Sequence, residues 1–156
     1  VGFIVAEGGA VFGLILQLLG VVSPLEFLHA PGIQIAGAAI AVLGIATTVY
    51  AQLDMGDSWR IGVDKSETTT LVRSGVFGWV RNPIFTAMMT FGLGIALLAP
   101  NLVALAGFAI LVITIELQVR TVEEPYLLAT HGDAYRDYLA SVGRFVPGVG
   151  RLANQR

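Results

Sequence analysis

Apolar residues dominate four stretches of this chain, and charged residues collect between and after them. The first stretch covers residues 3–22, with Glu7 near its start, and the second covers residues 33–51. The longest apolar run extends from residue 82 to residue 115, 34 positions without a charged side chain. As one helix it would measure about 51 Å at ~1.5 Å per residue, well beyond a hydrocarbon core of ~30 Å. A fold-back is therefore expected at Pro100-Asn101, a helix-breaking pair. It gives a third helix over residues 84–99 and a fourth from Leu102. Each segment approaches the ~20 apolar residues that a membrane span requires. None carries the polar stripe of a water-facing helix, which disfavours a soluble bundle of buried helices. The pattern predicts an all-α fold: a polytopic membrane helix bundle of about four transmembrane helices.

Composition strengthens that picture. Apolar residues make up 55% of the chain and charged residues 13%, against a usual charged share of ~25%. So few charges cannot cover the surface of a water-soluble domain, and the excess apolar surface must face lipid. The length of 156 residues suits one domain, read as an N-terminal helix pair over residues 1–51 followed by a core over 52–156. A net charge of −2 argues against nucleic acid as a partner. The absence of cysteine excludes disulfides, thiolate metal sites and cysteine nucleophiles together. No basic segment precedes the first apolar stretch, so a secretory signal is not expected there.

Charge placement predicts orientation. All nine Lys and Arg residues follow the second apolar stretch: Arg60, Lys65, Arg73 and Arg81 in a central loop, the other five from Arg120 onward. Under the positive-inside tendency the central loop and the tail are cytoplasmic, and four spans return the N-terminus to the same side. A polar site is expected on that face. Small residues recur within the spans at Gly9 and Gly13, Gly37 and Ala41, and Gly92 and Gly94. Their expected role is close helix approach, within one subunit or between subunits, so oligomeric state stays open.

Candidate chemistry concentrates after the fourth span. Glu116, Arg120, Glu123 and Glu124 are spaced to fall on neighbouring turns of one helical face. A carboxylate at the membrane boundary is costly and generally faces the protein interior or an aqueous cavity. The plainer alternative is a Glu116–Arg120 pair that eases the helix out of the bilayer; the whole cluster reads better as a functional site. Pro125 is expected to bend the helix. Residues 133–142 read as a short amphipathic helix, with Tyr135, Tyr138, Leu139 and Val142 on one side. It could lie at the membrane interface, or fold over a ligand and supply Arg144. His29 and His131 are placed on opposite sides of the membrane and are read as structural.

The run TTLVRSGVFGWVRNPIFTAM resembles the cofactor-binding stretch of the isoprenylcysteine carboxyl methyltransferase family, approximately T-L-V-x-x-G-x-[YF]-x-x-x-R-H-P-x-Y. Downstream, EEPYLLATHGDAYRDYLASVGRFVP resembles that family's E-E-x-x-L, G-x-x-Y-x-x-Y and R-x-x-P ending. MGDSWRIGVD resembles the opening of the same region in bacterial members. The similarity covers about residues 55–147, with separated motifs in the right order.

The resemblance implies an integral-membrane methyltransferase using S-adenosylmethionine, held at the cytoplasmic face of a bacterial inner (plasma) membrane. The tail helix would close the cofactor pocket. Thr70, Leu71 and Val72 would line the cofactor, Phe77 would pack on adenine, and Arg81, Asn82, Pro83 and Phe85 fill the R-H-P-x-Y motif. Glu123 and Glu124 match the paired glutamates, one of which would grip an ammonium or ribose hydroxyl. Asn82 replaces histidine and Phe85 replaces tyrosine. Asn can still hydrogen-bond adenine or ribose but cannot titrate near neutral pH. Arg120, outside these motifs, is the candidate for an anionic acceptor head, and Glu116 or Glu123 for deprotonating an amine.

The expected acceptor is a lipophilic small molecule or prenylated compound, reached from the membrane lipids. Rival readings are a phospholipid or thiol methyltransferase, a sterol-reductase-like enzyme using NADPH, and a non-enzymatic membrane scaffold.

Overall fold

The computed structural model describes residues 2–55 and 70–152, with side chains from residue 8 onward. Glu7 as a side chain, and Arg60, Lys65 and most of the MGDSWRIGVD motif, lie outside the described residues. The described residues are helical apart from turns and one isolated β-bridge, between Val80 and Gly143. The helices are α1 (Gly2–Leu18), α2 (Pro31–Met55), α3 (Pro83–Leu98), α4 (Leu102–Gln118), α5 (Glu124–His131) and α6 (Asp133–Ser141). A 3₁₀ turn (Gly75–Gly78) precedes α3, and a π turn (Val119–Glu123) joins α4 to α5.

Local chemistry sets the helix ends. Gly20 has a φ of 70°. Its N–H donates to Gln17 and that of Val21 to Leu16, at 3.0 and 2.9 Å. This double bond around a left-handed glycine closes a helix, so α1 stops short of the expected residue 22. Proline opens both α2 and α3, where its missing N–H costs nothing and its fixed φ suits the first turn. Between α3 and α4 the chain turns at Pro100-Asn101, as its sequence leads one to expect. Asn101 caps α4 by accepting the Ala104 N–H at 2.9 Å. Its amide nitrogen lies within 3.0 Å of the Gly13 and Ala99 carbonyls and the Gln17 side-chain oxygen. A fully buried amide is thus satisfied on both sides, as burial demands.

Among the described residues, two helices are long and apolar enough to cross a membrane, Pro31–Met55 with 25 residues and the continuous Leu102–His131 with 30. Gly8–Leu18 and Pro83–Leu98 are shorter apolar helices. The chain divides into two compact units, each discontinuous in sequence.

The first unit comprises Val1–Thr47 and Ala87–Glu116. Backbone-to-backbone approach defines it. A Cβ added at Gly13 would lie 2.4 Å from the Ala104 nitrogen, and one at Gly9 would lie 2.9 Å from the Gly107 Cα. On the other side, a Cβ at Gly94 would lie 2.3 Å from the Ala41 nitrogen and 2.7 Å from the Gly37 carbonyl. The small residues of α1 therefore seat against α4, and those of α2 against α3. Apolar side chains that would drive helices together in water gain nothing over lipid contacts, so dispersion at close range must hold the bundle. Ala10, Ala41 and Ile95, with Leu14 and Phe91 against them, fill the remaining space.

The second unit comprises Thr48–Thr86 and Leu117–Arg156. Its apolar centre is Tyr135, Tyr138 and Leu139 of α6, packed by Leu71, Leu127, Leu128 and Val142. The apolar side of α6 thus faces its own unit, and its Arg136 and Asp137 side is exposed.

Gly94→Ala is expected to destabilise the bundle by about 1–3 kcal/mol, the usual cost of overpacking. Gly8→Ala, inside α1 at a site with nothing within 4 Å, serves as the control and is expected to keep stability or raise it by up to about 1 kcal/mol through helix propensity. Thermal unfolding of the two variants in detergent, followed by circular dichroism, checks this.

Candidate active site

In the second unit, two segments far apart in sequence are joined by backbone bonds. The Arg81 N–H donates to the Gly143 carbonyl at 2.8 Å, and the Asn82 N–H to the Arg144 carbonyl at 3.2 Å. The Asn82 side-chain amide reaches the same Arg144 carbonyl at 3.2 Å. One helical turn on, the Thr86 hydroxyl lies 2.9 Å from the Phe145 carbonyl. The start of α3 is thereby bound along its length to residues 143–145.

That pairing brings three charges together. Glu124 receives a two-pronged contact from Arg144, Nε to Oε1 at 2.8 Å and Nη2 to Oε2 at 3.0 Å. Arg81 Nη2 approaches Oε1 from elsewhere, also at 2.8 Å. The same nitrogen lies 3.2 Å from the Gly150 carbonyl, and Nη1 donates to the carbonyls of Leu139 at 3.0 Å and Val142 at 2.7 Å. The Arg81 side chain is 1% exposed and that of Arg144 8%. Two guanidinium groups and one carboxylate leave this buried cluster with a net positive charge. Arg81 Nε is buried and has no partner among the described residues.

The paired glutamates therefore have different surroundings. Both Glu124 oxygens are taken by arginines, whereas Glu123 accepts from Gln118 at 3.3 Å. The π turn explains the split. In an α-helix, with 3.6 residues per turn, Glu124 would sit beneath Arg120. Here the Glu124 N–H bonds to the Val119 carbonyl, five residues back, so Glu124 sits beneath fully buried Val119, and Arg120 is exposed. The expectation of one continuous face for Glu116, Arg120, Glu123 and Glu124 is corrected accordingly. The same turn accommodates Pro125, which lacks an N–H and crowds the carbonyl four residues before it.

The remaining predicted residues fall as follows. Phe77 is buried in the 3₁₀ turn, and its carbonyl accepts the Tyr138 hydroxyl. Leu71 packs against the α6 cluster; Val72 and Phe85 are half-buried, Pro83 is buried and Thr70 is exposed. Glu116 is half-buried in the first unit.

Three contributors escape a reading of sequence alone. Asp54, in the last turn of α2, accepts the Val76 N–H at 2.9 Å. A carboxylate at the negative end of a helix is out of place electrostatically, and that misplacement was the available signal. Tyr138 reads as apolar by periodicity, although a buried phenol requires a partner. The carbonyls that Arg81 collects leave no trace in side-chain identity.

Two stability measurements follow. Glu124→Ala strands two buried cations and is expected to cost about 3–5 kcal/mol. Glu123→Ala, losing one hydrogen bond, is expected to cost about 1 kcal/mol or less. Denaturant or thermal unfolding in detergent separates the two. The Tyr138 phenol is pushed up to about 12 by burial, with Arg81 and Arg73 opposing; Tyr135 moves the same way. The unfolded chain sheds these protons from near pH 10, while the folded chain keeps them. Their stabilising contribution is thus complete below pH 10 and declines as pH rises towards 12. Unfolding midpoints scanned from pH 8 to 12 are expected to fall across that window, and less steeply for Tyr138→Phe.

Comparison with known proteins bears on the family and the fold. Residues 32–134 match the family model described as phospholipid methyltransferase. Protein-S-isoprenylcysteine O-methyltransferase of Schizosaccharomyces pombe is 26% identical over 116 residues, covering 73% of this chain and 49% of the relative. The protein of the same name from Saccharomyces cerevisiae is 27% identical over 117 residues, covering 74% and 49%. The chain thus spans about half the length of these curated relatives. The solved structure of a eukaryotic intramembrane Ras methyltransferase, isoprenylcysteine carboxyl methyltransferase, superposes with a TM-score of 0.73 at 20% identity, over 97% of this chain and 54% of that one. It shares the all-helical membrane fold. With its two sequence motifs joined through Arg81 and Glu124, and with the family model matched over most of its length, the chain belongs to the phospholipid methyltransferase family.

Proposed function

We propose that the protein is an integral-membrane methyltransferase that uses S-adenosylmethionine to methylate a lipophilic acceptor, with the carboxylate of an isoprenylcysteine-like amphiphile as the leading candidate. One observation carries the reading. The motif arginine, Arg81, is buried against Glu124 yet keeps Nε without a partner among the described residues. A buried N–H donor without a partner calls for an oxygen ligand, and the cofactor's carboxylate or ribose hydroxyls would supply one. Glu123 offers its carboxylate to the ammonium or ribose, and the aromatic Phe77 suits the adenine. The residues present therefore fit this donor.

When bound, S-adenosylmethionine supplies a methyl group already activated on a sulfonium. The protein is left with positioning two reactants and excluding water. Arg81, Glu123 and the segment Thr70, Leu71, Val72 and Phe77 hold the donor; Asn82, Pro83 and Phe85 set the start of α3. Glu124 and Arg144 act through Arg81 and the chain they brace. Arg120, exposed on the π turn, binds the acceptor's anionic head by a charge-assisted bond. A carboxylate acceptor needs no general base at neutral pH. An amine would, and Glu116 or Glu123 then takes the proton.

The proposal extends to topology: four membrane-crossing helices, residues 52–156 as the methyltransferase core, and both termini on the cytoplasmic side of a bacterial inner membrane. Apolar helices and the lopsided placement of Lys and Arg support it. A phospholipid acceptor is the second reading, favoured by the description of the matching family.

Isothermal titration of detergent-purified protein with S-adenosylmethionine is expected to show saturable binding, weakened about tenfold or more in Glu123→Ala, as for a lost charged contact. Binding of NADPH instead would overturn the reading. Incubating the enzyme with labelled donor and either a prenylated cysteine or phospholipid vesicles, then identifying the methylated product by mass spectrometry, separates the two acceptors.

A further inference from the structure

The 3₁₀ turn that carries Phe77 is held at both ends by side chains from remote parts of the chain, Asp54 of α2 and Tyr138 of α6. At its entrance Asp54 Oδ2 accepts the Val76 N–H at 2.9 Å. The neighbouring Gly75 has a φ of 56°, and a Cβ there would lie 2.1 Å from the same Oδ2 and 2.5 Å from Oδ1. The glycine is required twice over, by its left-handed backbone and by the carboxylate lying against it. Further along, the Phe77 carbonyl accepts the buried Tyr138 hydroxyl. Internal bonds from Phe77 N–H to Ser74 and from Trp79 N–H to Val76, both 3.1 Å, close the turn itself. The turn then runs into Val80 and the bridge to Gly143.

A short 3₁₀ turn has too few internal bonds to fix its own position. Its N-terminal N–H groups need outside acceptors, and Asp54 is a charged one supplied by the last turn of α2. That placement opposes the α2 helix dipole, so the carboxylate is held there against a local cost. We infer that Asp54 is a positioning residue for the cofactor: together with Tyr138 it fixes the turn so that Phe77 is set to receive the adenine of S-adenosylmethionine. The inference rests on the functional reading above and adds to it a residue outside the family motifs.

The test uses the full chain in detergent with S-adenosylmethionine as probe. Asp54→Ala is expected to raise its Kd about tenfold, the scale of one lost charge-assisted hydrogen bond. Hydrogen exchange at the Val76 amide should accelerate to a similar degree, with the exchange of α3 and α4 amides unchanged. Asp54→Asn keeps an oxygen acceptor and is expected to restore both values to within about threefold, since a neutral bond is roughly half as strong as a charged one. Should Asp54→Ala fail to fold, Tyr138→Phe loosens the opposite end and is expected to weaken binding in the same direction. Unchanged affinity in whichever of the two folds, or Asp54→Asn as defective as Asp54→Ala, overturns the positioning role. A parent protein that itself fails to bind refutes the functional reading and the ligand named here, while Val76 exchange still reports whether Asp54 anchors the turn.

Discussion

A carboxylate buried between two guanidinium groups organises the second unit. Each charge alone would be prohibitively costly away from water. Held together, with backbone carbonyls completing the arginine donors, they specify how three remote pieces of chain must meet: the turn into α3, the head of α5, and residues 139–150. The contribution is one of specificity more than of net stability, since desolvation offsets much of the Coulomb attraction in a buried pair. Its consequence is positional. Arg81 cannot turn to a ligand with its terminal nitrogens, because Glu124 and three carbonyls occupy them; Nε is what it has left.

The first unit obeys a different constraint. Helices in an apolar solvent gain little from apolar side chains as such, and they approach through missing ones. Gly13 against Ala104 and Gly94 against Ala41 bring backbones to within the reach of a single Cβ. Where the bundle does bury a polar group, Asn101, it saturates it and uses it to cap α4. Close backbone packing with a saturated cap describes the first unit, and a dense cluster of charges the second.

Much of this was legible in the chain. Pro100-Asn101 announced a helix limit because proline and asparagine act locally, through φ, a missing N–H and a capping amide; Pro31 and Pro83 act in the same local way where α2 and α3 begin. The small-residue spacings announced close approach. The motif residues Arg81 and Glu124 were legible as candidates for the site, but their mutual contact was not, because nothing in either local sequence encodes a partner 43 residues away. The two glutamates looked equivalent in sequence, and a π turn whose inserted residue has no compositional signature divides them. Periodicity classed Tyr138 by its ring and overlooked its hydroxyl. Asp54 lies outside the motifs, and only the fold brings it to the Val76 N–H.

The account stands or falls on the division of labour between adjacent acids, with Glu124 belonging to the fold and Glu123 to the methyl donor. The most direct measurement is an experimental structure of the protein with S-adenosylhomocysteine, the demethylated cofactor. The account predicts the ligand's ammonium or ribose against Glu123 and an oxygen of it on Arg81 Nε, with Glu124 still clasped by Arg81 and Arg144. A ligand held by a Glu124 released from both arginines, with Glu123 turned away, would contradict it.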